Sequence, residues 1–175
     1  VPTTSFAVHL GNIQDAKLSL CESSHYGHVA DLLEKHSPRT VFVVPGQEDW
    51  NNCPDPEKAF SDWSDEFLFF NERWDSTGND KEFDVYTQKG QLENWSFVLR
   101  HVLFLGVHTV NGPVLDQTES DARNANNYEW VMGMAKARKQ QIRSIVIFGN
   151  ARPGYSGSVR FFAPLEEFLR DFDLP

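Results

Sequence analysis

The sequence has few cysteines, a shortage of basic residues and no long apolar run. Only two of its 175 residues are cysteine, which excludes a disulfide-dense scaffold. Apolar stretches such as Val41 to Val44 and Phe67 to Phe70 are far shorter than the roughly 20 residues that span a bilayer, so we expect no membrane insertion. Lys and Arg number 16 against 25 Asp and Glu, a net charge of −9. Because no basic patch offsets this charge, nucleic acid is not an expected partner.

The composition is that of a folded globular chain. Hydrophobic residues make up 40% and charged residues 23%, which excludes wholesale disorder. The length and the lack of an internal repeat predict a single domain over residues 1–175. Since the sequence begins with Val1 and shows no leader pattern, we expect it to be a processed or excised chain.

Two local features favour an oxidising compartment. Cys21 and Cys53 each lie in a polar loop beyond a predicted strand, where loops at one sheet edge can bring them within bridging distance, although two free thiols remain an alternative. Residues 94–96 form an Asn-x-Ser acceptor for N-glycosylation at Asn94. Together these features predict a secreted or organelle-lumenal protein.

Short apolar runs that end at glycine or proline predict the strands. A hairpin is expected where two such runs meet near Arg100 and His101. The predicted strands are Ser5 to Leu10, Thr40 to Val44, Phe97 to Arg100, Val102 to Val107 and Ile142 to Phe148.

Apolar residues at helical spacing predict four helices between these strands, and Asn71 to Gly90 is expected to be mostly loop. The predicted helices are Ser23 to His36, Asp55 to Phe67, Asp116 to Gln141 and Pro164 to Phe172. The alternation of strands and helices predicts an α/β fold with a layered mixed β-sheet and flanking helices.

Polar residues follow the predicted strands, where ligands gather in sheets of this kind. Three of these segments, residues 11–15, 46–50 and 149–153, begin with a glycine that permits a sharp turn. Their amide and carboxylate side chains are of the type that holds a divalent cation or other ligand. The alternative is that the segments are polar only because they leave the core.

Residues 6–15, 44–50 and 145–153 resemble, in order and spacing, three consecutive blocks of the calcineurin-like metallophosphoesterase family. The resemblance extends over about residues 5 to 165 and implies that family's layered α/β fold. It also implies two divalent metals and a phosphoester substrate. The family's first and last blocks, which contain histidines, are absent from the sequence.

The metal positions implied by the resemblance are Asn12, Asp15, Gln47, Asp49 and Asn150. Asn12 stands where the family has the aspartate that bridges two metals, and a neutral amide lacks the charge for that role. Asn150 stands in place of a metal-binding histidine, and an amide oxygen is a weaker ligand for transition metals. Metal binding at these positions is therefore expected to be weak or lost.

The catalytic positions also depart from the family. Glu48 stands where the family has its catalytic histidine, so the imidazole that titrates near neutrality is missing. His108 follows a strand near the expected cleft and is the candidate for a replacement acid or metal ligand.

Two functions from different classes follow. The first is a non-catalytic metallophosphoesterase-like protein, that is, a pseudoenzyme. It has no cofactor and acts as a binding or structural subunit for a protein partner. The second is a divalent-metal-dependent phosphoesterase, seen here as a fragment, in which Glu48 and His108 are catalytic and the ligand is a phosphate ester. The departures at Asn12, Gln47, Glu48 and Asn150 favour the first.

Overall fold

The computed structural model describes residues 5–14, 21–75, 83–155 and 157–175. The strands in these ranges are β1 (Ala7–His9), β2 (Val41–Val43), β3 (Tyr86–Gln88), β4 (Gln91–Leu99), β5 (Val102–Gly106) and β6 (Ser144–Phe148). The α-helices are α1 (Ser23–His36), α2 (Pro56–Phe67), α3 (Gln117–Arg138) and α4 (Val159–Asp171). Short 3₁₀ helices cover Gln47–Asp49, Phe70–Trp74 and Lys139–Gln141. The predicted α/β class is confirmed.

The described strands form two sheets rather than the one mixed sheet expected. β1 pairs in parallel with β2, whereas β3, β4, β5 and β6 form a mixed sheet in which only β5 and β6 are parallel. The Trp95 side chain connects the sheets, because its indole Nε1 donates a hydrogen bond to the Val43 carbonyl at 2.9 Å. Gly106 makes room for this ring, since a Cβ there would lie 2.3 Å from it.

The side-chain alternation of the strands produces four layers. On β2, Val41 and Val43 pack against α1 and α2, while Phe42 faces an aromatic cluster between the two sheets. On β5, Leu103 packs against α3 and α4, and Phe104 faces the same aromatic cluster. Each sheet is therefore covered by helices on one face and by the other sheet on the opposite face.

Local signals explain the helix boundaries. The Asp55 carboxylate caps α2 by accepting the Lys58 N–H, and proline follows at the first helical position. α4 begins at Val159, five residues before the predicted start at Pro164. Pro164 therefore lies inside the helix rather than at its start, and the additional N-terminal turn buries Phe161.

Two further predictions concern the connections. The segment Asn71 to Gly90 is predicted to be mostly loop, but it contains β3 and part of a 3₁₀ helix, and its residues 76–82 lie outside the described ranges. Cys21 and Cys53 form a disulfide with a Cα–Cα distance of 5.9 Å, as their positions suggested.

Among the described residues, no helix has the length and apolar character needed to cross a membrane.

Candidate functional site

The ends of β1, β2 and β6 meet, as the sequence predicts, and the buried Asp49 carboxylate lies at their centre. It accepts the backbone N–H groups of Asn12 at 2.9 Å, Ile13 at 2.5 Å and Gln14 at 3.2 Å. It also accepts the N–H of Gly46 at 2.8 Å. One side chain thus fastens the loop after β1 to the loop after β2.

Two asparagine side chains complete this contact. The Asn12 Oδ1 accepts the Glu48 backbone N–H at 3.1 Å. The Asn150 Oδ1 accepts the Gln47 N–H at 3.3 Å, and its Nδ2 donates to the Leu10 carbonyl at 2.7 Å. We call this set the strand-end junction; its members are Asn12, Gly46, Gln47, Glu48, Asp49 and Asn150.

The loops approach each other so closely that two positions require glycine. Gly11 has a φ of +77°, and a Cβ on it would lie 2.1 Å from the Gly46 nitrogen. A Cβ on Gly46 would lie 2.3 Å from the Asn12 Oδ1 and 2.9 Å from the Asn150 Nδ2. The glycines noted in the sequence therefore allow the junction to form.

The other two polar side chains of the junction, those of Gln47 and Glu48, also form hydrogen bonds. The Gln47 Nε2 donates to the Asn52 Oδ1 at 3.2 Å, and the Asn52 Nδ2 donates to the Glu48 Oε1 at 2.8 Å. Burial raises the pKa of Asp49 above its ordinary value, and the four backbone N–H donors oppose that shift.

The described residues contain no group of three or more His, Cys, Asp or Glu side chains arranged to hold a metal ion. Asp15, one of the predicted metal positions, lies outside the described residues. The other four, Asn12, Gln47, Asp49 and Asn150, are brought together in the junction.

His108 does not join the junction through any hydrogen bond in the described structure. Its ring is buried, and its Nδ1 lies 2.9 Å from the Glu93 Oε1. The ring stacks on Phe60 with centroids 5.4 Å apart and meets the edge of Trp50 at 5.1 Å. His108 therefore belongs to a second site.

The second site is a pocket of about 400 Å³ bounded by α2, α3 and the start of β4, which we call the α2–α3 pocket. None of the junction residues lines it. Its lining residues are Trp50, Pro56, Glu57, Phe60, Gly90, Gln91, Glu93, His108, Glu119, Ala122, Arg123 and Asn126.

Burial governs the protonation of the Glu93 and His108 pair. Burial lowers the pKa of His108, the positive charge of Arg123 lowers it further, and Glu93 opposes both effects. Burial acts to raise the pKa of Glu93, but the hydrogen bond from His108 and nearby positive charge bring it below its ordinary value. A neutral imidazole still donates its Nδ1–H, so the pair consists of neutral His108 and ionised Glu93.

Sequence reasoning missed Glu93 and Arg123. The i, i+4 spacing of Glu119 and Arg123 on a predicted helix was an available signal, and the structure pairs them at 2.7 Å. The pairing of Glu93 with His108 joins β4 to the segment that follows β5, and it had no local signal.

The structure also bears on the N-glycosylation acceptor sequence at Asn94. The side chain is 0% exposed. Its Nδ2 donates to Gln88 and Asn127, both at 2.7 Å, while its Oδ1 accepts the His108 N–H. A glycan on this nitrogen is incompatible with the folded structure, so the sequon does not support secretion.

Comparisons with known proteins add no family assignment: no protein-family model matches the chain, and searches of curated proteins and of solved structures gave no significant match. The functional argument therefore depends on the sequence blocks and on the two sites. The junction bears on the metallophosphoesterase resemblance, and the α2–α3 pocket is a feature that the resemblance did not include.

Proposed function

We propose that this chain is a non-catalytic metallophosphoesterase-like protein that acts as a binding or structural subunit. The observation that carries the proposal is the use of the junction side chains. The amide oxygens of Asn12 and Asn150 accept backbone N–H groups from the loop after β2. They act as structural acceptors at positions where the family places metal ligands.

The electrostatics of these bonds oppose cation binding. The N–H groups of Gln47 and Glu48 direct partial positive charge towards the oxygens that would otherwise face a metal. The Asp49 carboxylate is likewise surrounded by four N–H donors. Two dications placed close together need anionic ligands, which the amide of Asn12 does not supply.

Other features support the binding role. Leu10 is 43% exposed, and its carbonyl accepts a hydrogen bond from the Asn150 side chain. Leu115 is 67% exposed, and its backbone N–H donates to Asn51 in the loop after β2. A protein partner that covers these segments would bury the two leucine side chains. The Cys21–Cys53 disulfide supports an exported or lumenal location, because such bonds persist in oxidising compartments.

The test compares the natural protein with a variant in which the family's residues are restored. Purified protein is incubated with Mn²⁺ or Zn²⁺, desalted and analysed for metal by mass spectrometry. Hydrolysis of bis(4-nitrophenyl) phosphate is followed in parallel. We expect the natural protein to retain no stoichiometric metal, and the triple variant Asn12→Asp, Glu48→His, Asn150→His to gain metal affinity.

A control variant places histidine at an exposed position away from the strand ends, Gln140→His, and we expect no gain in metal. Stoichiometric metal together with phosphodiester hydrolysis by the natural protein would overturn the proposal. That result would establish the alternative, a divalent-metal-dependent phosphoesterase, and the amides of Asn12 and Asn150 would then have to be ligands.

A further inference from the structure

The α2–α3 pocket contains a buried hydrogen-bond acceptor without a partner. The His108 ring is 3% exposed, and its Nδ1 faces the Glu93 carboxylate. A nitrogen beside a carboxylate carries the proton, so Nε2 holds the lone pair. In the described structure no hydrogen-bond donor reaches this buried Nε2. This nitrogen is fully buried, so a ligand in the pocket reaches it only when the surrounding side chains shift, and the ligand must then supply an N–H or O–H group.

The charged side chains that line the pocket indicate the charge of the ligand. Three carboxylates, those of Glu57, Glu93 and Glu119, line it together with the guanidinium of Arg123. Arg123 is already committed, because its Nε and Nη2 bond both Glu119 oxygens at 2.7 and 3.0 Å. With His108 neutral, the pocket carries an excess of negative charge.

Glu57 is the carboxylate still available at the rim. Its side chain is exposed, and it has no ion-pair partner among the described residues. A cation in the pocket would supply the missing charge. An anion would meet Glu57 and Glu93 while finding Arg123 already paired.

The remaining walls are apolar. Trp50, Pro56, Phe60 and Ala122 line the pocket and give it the character of sites that bury the carbon body of a small molecule. The Phe60 ring also stacks on His108 and on Trp63, with ring centroids 5.4 and 5.9 Å apart.

We propose that the α2–α3 pocket binds a small organic ammonium compound, a protonated primary or secondary amine with an apolar body. The ammonium N–H groups donate to the His108 Nε2 and pair with the Glu57 carboxylate. The carbon body lies against Trp50, Pro56 and Ala122. This site shares no residue with the strand-end junction and is independent of the metal question.

The test uses three probes of similar shape and different charge: 2-phenylethylamine, 2-phenylethanol and 3-phenylpropionate. Binding to the intact protein is measured at neutral pH by calorimetry and by the NMR shifts of the Trp50 indole and backbone amides. We expect saturable binding of the amine, at least about tenfold weaker binding of the alcohol, and none of the carboxylate. Absence of saturable amine binding, or equal affinity for all three probes, would overturn the proposal.

Two pairs of variants locate the bound amine. Ala122→Phe fills the pocket from α3 and should abolish binding, whereas Ala125→Phe, exposed on the same helix and outside the pocket, should not. Glu57→Gln should weaken binding about three- to fivefold, the effect of an exposed ion pair, and Glu129→Gln should leave it unchanged. Amine binding that survives both Ala122→Phe and Glu57→Gln would place the ligand elsewhere and contradict the assignment.

Discussion

The Asp49 carboxylate lies 2.9 Å from the backbone nitrogen of Asn12, a hydrogen bond that joins the end of β2 to the end of β1 across 37 positions of the chain. The same carboxylate accepts three further N–H groups. Several buried donors thus depend on one side chain, so Asp49 is expected to contribute strongly to folding stability.

Replacement of Asp49 tests this contribution. Asp49→Asn keeps the shape but turns an NH2 group towards backbone N–H donors, leaving buried groups unsatisfied. We expect the free energy of unfolding to fall by about 2–4 kcal/mol. Urea denaturation followed by tryptophan fluorescence measures the change. Asp31→Asn, at an exposed position of α1, should stay within about 0.5 kcal/mol of the natural protein, and an equal effect at both positions would contradict the argument.

A second prediction concerns the close approach of the two loops. Gly11 and Gly90 both have positive φ, +77° and +86°, but only Gly11 lies against another backbone. Alanine at Gly90 should cost only the left-handed conformation, about 1–2 kcal/mol. Alanine at Gly11 should cost at least about 2 kcal/mol more, because its Cβ would overlap Gly46. Comparison of the two unfolding midpoints isolates this contact, and similar midpoints would show that the loops can separate without loss.

The junction is also the part of the site that sequence reasoning predicts well. The expectation of a single sheet groups the polar segments after β1, β2 and β6, and these segments do meet, although β1 and β2 belong to one sheet and β6 to the other. The helix α1 is predicted with its observed bounds from its apolar spacing, and Val29 and Leu33 pack against the core.

The parts that sequence does not predict depend on contacts between distant segments. Nothing local to Trp95 indicates that its side chain would bond the Val43 carbonyl and connect two separate sheets. His108 is expected near the cleft because it follows a strand, but strand periodicity no longer fixes side-chain direction after Gly106, where β5 ends. Its partner Glu93 lies in β4, which begins at Gln91, six residues before the predicted strand start at Phe97, so the prediction left Glu93 outside any strand.

The disulfide gives a third prediction. Cys21 and Cys53 are separated by 32 positions, and opening a loop of that size increases the freedom of the unfolded chain. Reduction, or the double variant Cys21→Ser, Cys53→Ser, should lower the free energy of unfolding by about 2–4 kcal/mol. Thermal unfolding with and without dithiothreitol measures this effect. The reductant should not change the unfolding of the double serine variant, and an unchanged midpoint for the natural protein would contradict the prediction.

The fourth prediction concerns the buried imidazole of the α2–α3 pocket. Burial lowers the pKa of His108 below its ordinary value of 6.5, so the unfolded chain binds a proton more readily than the native protein. The stability that neutral His108 confers is therefore fully present above pH 6.5. It should be lost progressively as the pH falls from there towards the lower native pKa.

Urea denaturation over a series of pH values measures this dependence in the natural protein and in His108→Gln. The pKa of His9 is also lowered by burial, so a slope of the same sign should remain in the variant. We therefore expect His108→Gln to flatten the slope below pH 6.5 without removing it. His28→Gln, at an exposed position of α1, should keep the slope of the natural protein. An unchanged slope in His108→Gln would contradict the prediction, because it would mean that the buried imidazole gains its proton without loss of stability. Protonated Nε2 would then need a hydrogen-bond acceptor, and the described structure does not provide one.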